Sequence, residues 1–278
     1  MSTNPFSTFT PSSPLVLVGA GKMGGALLSG WLDRGLDPKA VVVVDPSPPA
    51  DTAVILARAG IVAHAAPPSG VTAGVIVVAV KPQIIAGVLP ALRAMIGPGT
   101  VSLSIAAGAT LANLEAGLGA VAIVRSIPNT PAMVGRGITG AIANARVDDA
   151  GKATIEALLR AAGDVAWVDE EGLIDAVTAV SGSGPAYVFL LAEVLAEAAE
   201  ATGLPPDLAA RLARATVTGA GELLHQSDLP PAQLRKNVTS PNGTTAAALA
   251  VLMGEGGMAP LMVRAVAAAR KRSEELSG

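Results

Sequence analysis

Five short runs rich in β-branched residues, Leu15–Val18, Val41–Val44, Val75–Val80, Thr100–Ile105 and Val121–Val124, constrain the fold of this chain more than any other feature. Gly, Pro, Asp or Ser bounds each run, and helix-length segments separate them. Runs apolar at every position, rather than at alternate positions, suit strands covered by helices on both faces of a parallel sheet. The first half therefore reads as βαβ units in a doubly wound α/β domain. Gly140–Asn144 and Asp164–Val168 are two further strand candidates at its edge.

After Val168 the β-branched runs stop, and Ala, Leu and Glu recur at three- and four-residue spacing. Helices are expected here. In Pro185–Thr202, Val188, Leu191, Leu195 and Ala198 mark one face and Glu193, Glu197 and Glu200 another. The next helix is expected to start near Pro206 and to turn Leu208, Leu212, Ala215, Gly219 and Leu223 inward. Further helices are expected from about Thr244 and over Pro260–Leu276. The domain reading is a disordered tail over 1–14, a dinucleotide-binding domain over 15–168 and a helical domain over 169–278.

Composition narrows the function. The 278 residues are 51% hydrophobic, enough for a buried core, with three Phe, two Trp and one Tyr. Few aromatics and a formal charge of −3 argue against nucleic acid as a partner. Cysteine is absent and the only histidines are His64 and His225, so no metal site and no thiol chemistry are expected. The first fourteen residues carry no Lys, Arg or apolar stretch that would mark a targeting peptide, and the longest apolar runs fall far short of the roughly 20 residues of a membrane helix. The expected setting is cytoplasmic, with no membrane partner.

The run Leu15–Val18 passes directly into Gly19-Ala20-Gly21-Lys22-Met23-Gly24 and then into an apolar helix, the strand, glycine turn and helix order of a dinucleotide site. Gly19 permits the turn, Gly21 lets a pyrophosphate approach the backbone, and Gly24 lets helix pack on strand. The fold class expected is α/β, an N-terminal Rossmann-type doubly wound sheet followed by an all-helical C-terminal domain. Asp45 ends the second run, 21 residues after Gly24, where it could accept hydrogen bonds from the adenosine ribose and favour NADH. It could equally open the turn Asp-Pro-Ser-Pro, so the motif leaves NADPH or NADH open. Ala79-Val80-Lys81-Pro82 and Ile105-Ala106-Ala107-Gly108 end two further strands at the carboxyl edge, where ligands of such sheets lie. In the helical half, Ser181–Ala186 and Asn237–Thr245 are polar, Gly- and Pro-punctuated segments that open onto Ala-rich helices. Both suit small-anion binding at a helix start, but from the residues alone ordinary N-capping is the favoured reading.

Taken in order, GAGKMG, AVKP, IPNTPA at Ile127–Ala132, SGSGPAY at Ser181–Tyr187 and NVTSPNGTT at Asn237–Thr245 resemble the signatures of pyrroline-5-carboxylate reductases over nearly the whole chain. The resemblance implies a Rossmann domain followed by a dimerising helical domain, with the active site between them. It implies cofactor contacts at Gly19–Gly24, Ala79–Pro82 and Ala106–Gly108, and substrate contacts at Asn237, Thr244 and Thr245, with the Thr245 hydroxyl beside the substrate ring nitrogen. The implied reaction is hydride transfer from NADPH or NADH to the C=N carbon of 1-pyrroline-5-carboxylate, giving L-proline, in a homodimer or higher homo-oligomer. Asn242 stands where the family commonly has glycine, and Asp45 where many members have a small polar or basic residue.

Two rival classes fit the residues less well. A β-hydroxyacid dehydrogenase needs a lysine on the first long helix of its second domain, and no lysine falls within Pro185–Thr202. A non-catalytic dinucleotide sensor should show decay in the substrate loop, and NVTSPNGTT departs from the family pattern only at Asn242.

Overall fold

A computed structural model describes residues 4–277. They fall into two compact units: one holds the sheet, to Gly182, together with the chain's last turns from Arg270, and the other spans Ser183–Ala269.

The first unit contains β1 (Leu15–Val18), α1 (Lys22–Asp33), β2 (Val41–Val44), α2 (Ala50–Ala59), β3 (Ala63–His64), β4 (Val75–Val78), α3 (Pro82–Leu92), β5 (Val101–Ser104), α4 (Leu111–Leu118), β6 (Ala122–Ile127), β7 (Gly137–Ala143), α5 (Asp149–Arg160), β8 (Gly163–Trp167) and α6 (Leu173–Val177). Its strands form one sheet in the order β3-β2-β1-β4-β5-β6-β7-β8. Pairings are parallel from β3 to β6; β7 runs antiparallel to β6, and β8 follows β7 in parallel. All five expected strands are present, and the two edge candidates are β7 and β8. The two-residue β3 carries no run long enough to read from sequence.

Both faces of the sheet are covered, which is why β1, β2 and β4 are apolar throughout. Leu15, Leu17, Val75 and Val77 pack with Leu27, Leu28, Trp31, Ile155 and Leu158 on one face. Val16, Val18, Ile76 and Val78 pack with Leu89, Leu92, Leu114 and Leu118 on the other. Trp31 Nε1 donates to the Leu158 carbonyl at 2.8 Å, satisfying the polar atom of a fully buried indole and tying α1 to α5.

Three expectations are corrected. The 1–14 segment is not a disordered tail over its described part: Phe6 and Phe9 are buried in the core beside Trp31, and Asn4 Nδ2 donates to the Gly35 carbonyl at 2.8 Å. Residues 1–3 lie outside the described residues. The division between units also falls at Gly182 rather than near Val168, because Ile174 of α6 is buried with Ile127 and Ile142, and Ser273 Oγ donates to Asp175 Oδ1 at 2.6 Å. Composition marks where strands cease, whereas packing keeps α6 and the chain's last turns with the sheet.

The third correction concerns the second unit, built from α7 (Gly184–Ala201), α8 (Pro206–Gln226), α9 (Pro231–Asn237), α10 (Thr244–Leu252) and most of α11 (Met258–Ser277). Within α8 the buried residues are Ala209 and Ala213, while Leu212 and Leu223 are exposed. Helical periodicity identifies an apolar face but not what covers it. The same limit applies to the absence of a membrane-length apolar stretch: α6, a π-helical turn at Thr178–Gly182 and α7 join into one helical run, Leu173–Ala201, which is long and apolar enough by length and composition to cross a membrane.

Candidate active site

The site begins at the turn between β1 and α1. Gly19 has φ +90, and a Cβ there would lie 2.8 Å from the Ala79 carbonyl, so only glycine fits both the backbone angle and the neighbouring strand. Gly24 faces the Gly19 carbonyl so closely that a Cβ would overlap it. That contact seats α1 against the turn. The helix starts at Lys22 with Gly21 as its N-cap, no side-chain cap and no acidic residue in its first turn, and the space beside Gly21 is open. An unblocked helix N-terminus at the carboxyl edge of a parallel sheet suits a pyrophosphate.

Asp45, directly after β2, opens the turn and also holds the glycine loop. Its Oδ1 accepts the Ser47 N–H at 2.8 Å, closing the turn, and its Oδ2 accepts the Ala20 N–H at 2.6 Å, reaching across to the glycine loop. Gly19 N–H donates to the Val44 carbonyl at 2.9 Å and fixes the same juncture through the backbone.

Two adjoining cavities follow the carboxyl edge of the sheet. The first, of about 710 Å³, is lined by Gly19, Gly21, Asp45, Ser47 and Ala79–Lys81 among others. The second, of about 520 Å³, shares Gly21, Pro49 and Ala79–Lys81 and continues past Lys22, Met23, Pro82, Ala106 and Ala107. Together they make an elongated cleft on either side of the turn, the shape a dinucleotide needs. Lys81 borders both cavities and is the residue before α3, whose first position is Pro82. Thirteen of the fourteen cofactor candidates thus either line the cleft or, for the buried Ala20 and Gly24, form the turn behind it.

Gly108 is the exception. It borders a separate cavity of about 580 Å³ with Pro82, Leu89, Ala109 and Leu276, and a Cβ on it would lie 3.3 Å from the Leu276 carbonyl. The chain's last turn approaches it there, outside the two cavities of the cleft.

The three substrate candidates lie in the second unit. Asn237 ends α9, where its Oδ1 accepts from Gln233 Nε2 at 2.8 Å. Thr244 and Thr245 open α10, whose N-cap is Gly243 with no side-chain hydrogen bond, so neither threonine is the capping residue. Asn242 adopts φ 59, a left-handed conformation that glycine takes freely and asparagine tolerates, which accounts for the glycine the family commonly has there. At the start of α7, Ser183 is the N-cap, likewise without a side-chain bond.

Two features escape sequence reasoning. Arg125 is a fully buried guanidinium on β6 whose Nη1 meets Glu171 Oε1 at 2.6 Å; the same oxygen accepts the Leu111 N–H at 2.7 Å, while Arg125 Nε has no hydrogen-bond partner among the described residues. Asn129, in IPNTPA, donates to the Ser181 carbonyl at 3.1 Å and accepts from the Ile138 N–H at 3.0 Å, pinning the π-helical turn that precedes α7. Apart from Ile138, nine residues from Asn129, the partners are tens of residues apart in sequence, and only the motif itself points at Asn129.

Comparison with known proteins settles the family. The pyrroline-5-carboxylate reductase of Pseudomonas aeruginosa is 40% identical over 264 residues, covering 95% of this chain and 96% of that one. The chain belongs to the pyrroline-5-carboxylate reductase family. The pyrroline-5-carboxylate reductase of Pisum sativum is 36% identical over 96% of this chain and 97% of its own length. A family model described as pyrroline-5-carboxylate reductase dimerisation matches residues 171–276, and one described as NADP oxidoreductase coenzyme F420-dependent matches residues 14–108. Among solved structures, the pyrroline-5-carboxylate reductase of Coxiella burnetii superposes with a TM-score of 0.88 at 36% identity over 96% of this chain and 99% of that one. The Plasmodium falciparum pyrroline carboxylate reductase, solved with NADP bound, gives 0.78 at 29% identity, over 97% and 100%. In this chain a Rossmann-type domain is followed by a helical region that carries the match to the dimerisation model.

Proposed function

We propose that this chain reduces the C=N bond of 1-pyrroline-5-carboxylate to give L-proline, using NADPH or NADH. The observation that carries this reading is the cleft along Gly19–Gly24, Ala79–Pro82 and Ala106–Ala107, formed in a chain 40% identical from end to end to a pyrroline-5-carboxylate reductase.

The residues fit the cofactor. The open first turn of α1 has room and unblocked N–H groups for a pyrophosphate, Asp45 stands at the ribose position, and Ala106 and Ala107 are small enough to leave space for a flat ring. Bound there, a reduced nicotinamide supplies a hydride to the C=N carbon while the ring nitrogen keeps its proton, leaving L-proline and the oxidised cofactor. Because a protonated imine is already a strong electrophile, the chain's own task is orientation and exclusion of water, and neither His nor Cys is required. Thr245 acts as the hydrogen-bond partner of the ring nitrogen, and Asn237 and Thr244 hold the substrate. These three roles rest on their places in NVTSPNGTT.

The second unit joins two copies. Phe189 is 67% exposed in the single chain, Leu223 69% and Val251 76%, an apolar surface too extensive for a solitary soluble chain. The dimerisation match over 171–276 supports this use, and it accounts for the apolar run Leu173–Ala201 as a protein interface rather than a membrane span, with Glu193, Glu197 and Glu200 along it. A cytoplasmic setting goes with this reading.

The test is a turnover assay with racemic 1-pyrroline-5-carboxylate and reduced nicotinamide. Proline should form in step with cofactor oxidation. Cofactor binding with no imine reduction would overturn the reading in favour of a sensor, and oxidation of a β-hydroxy acid in its place would move the chain to the other rival class.

A further inference from the structure

We propose that Asp45 and the proline-rich loop behind it make this chain selective for NADH over NADPH. The proposal rests on the dinucleotide reading of the cleft and concerns which dinucleotide it takes.

The loop after β2 runs Asp45-Pro46-Ser47-Pro48-Pro49. Proline has no N–H, so three of these five residues cannot donate to a phosphate. Asp45 N–H already donates to the His64 carbonyl at 2.9 Å, and Ser47 N–H to Asp45 Oδ1 at 2.8 Å. The loop that would wrap a 2′-phosphate therefore has no free backbone donor left. Its remaining donor is the Ser47 hydroxyl.

Charge works in the same direction. No Lys or Arg occurs between Asp45 and Arg58. Lys81, the residue before α3, is the single cation lining the larger cavity, and it borders the smaller one together with Lys22 of α1; neither lysine belongs to the β2 loop. Asp51 adds a second carboxylate in the first turn of α2, where it opposes an anion at the helix N-terminus.

The Asp45 carboxylate is also suited to a free ribose. Its two oxygens offer about four acceptor positions, and the Ala20 and Ser47 N–H groups occupy one on each oxygen. The remaining positions can accept from two ribose hydroxyls, which donate. A 2′-phosphate replaces one of those donors with a dianion and meets a carboxylate held in place from two sides.

The experiment is calorimetric titration of the full-length chain, without imine, with NADH, NADPH, adenosine 5′-phosphate and adenosine 2′,5′-bisphosphate. NADH should bind at least about tenfold tighter than NADPH, and the monophosphate tighter than the bisphosphate. Asp45→Ser should move the NADPH-to-NADH ratio of Kd values toward NADPH by about tenfold, with Asp45→Asn, which preserves shape, moving it the same way. Equal or tighter NADPH binding by the unaltered chain, or an unchanged ratio in a folded Asp45 variant, overturns the proposal. Since no turnover is read, a chain that prefers NADH yet fails to reduce the imine would refute the proposed reaction and leave this inference standing; reduction driven better by NADPH would do the reverse.

Discussion

At the scale of single residues, the chemistry depends on groups that orient rather than on groups that transfer protons. Thr245 is the sharpest case. It follows the N-cap and the first helical position of α10, so its hydroxyl is not the one that closes the helix start. Thr245→Val keeps the shape and removes the hydroxyl. A lost hydrogen bond to a charged group costs about 1.5–3 kcal/mol, so kcat/KM for the imine should fall roughly tenfold to a hundredfold. NADH binding and melting temperature should stay near their original values. A variant that keeps its kcat/KM would return Thr245 to the role of an ordinary helix residue. Residues that act through the local backbone were legible in the sequence, because glycine in a strand-turn-helix context has few other reasons to recur: Gly19 and Gly24 are where the turn requires them. Asp45 was legible only as an alternative between turn and ribose acceptor, and the two bonds to Ser47 and Ala20 show that one carboxylate serves the turn without surrendering its remaining acceptor positions. At Gly108 the small residues after a strand mark a close approach without saying whether a ligand or the chain's own last turn makes it.

At the scale of elements, strands were easier to read than the segments that cover them. A four-residue run of valine such as β2 has few alternatives to a buried strand. By contrast, the polar, proline-punctuated start of the chain hid two core residues, since Phe6 and Phe9 carry no periodicity and their partners lie from α1 onward. Phe6→Ala measures what that segment contributes. Phe6 is 2% exposed, and truncating a buried phenylalanine costs about 3–5 kcal/mol, a large share of a domain's net stability. Chemical denaturation should therefore show a clear loss of stability with little change in Kd for NADH. A change under about 1 kcal/mol would mean the segment only rests on the surface. The α6 segment and the last turns of α11 were hidden for the same reason: the Asp175–Ser273 bond joins residues 98 positions apart.

At the scale of the whole molecule, an apolar helix face without a partner in its own chain was read from sequence as inward-facing, and Leu212 and Leu223 show the error. Periodicity reports that a face will be buried and is silent on whether the same chain or a second copy buries it. The proposed assembly predicts that sedimentation at micromolar concentration gives at least twice the 27.4 kDa of one chain. A monomer that still turns over would contradict it. The central claim is the reaction itself, and isotope transfer tests it most directly. With NADH carrying deuterium at the transferable position, the proline formed should hold one deuterium on the ring carbon that bears no carboxylate and adjoins nitrogen, in step with each cofactor oxidised. Cofactor oxidation without labelled proline, or label at any other carbon, would contradict the account.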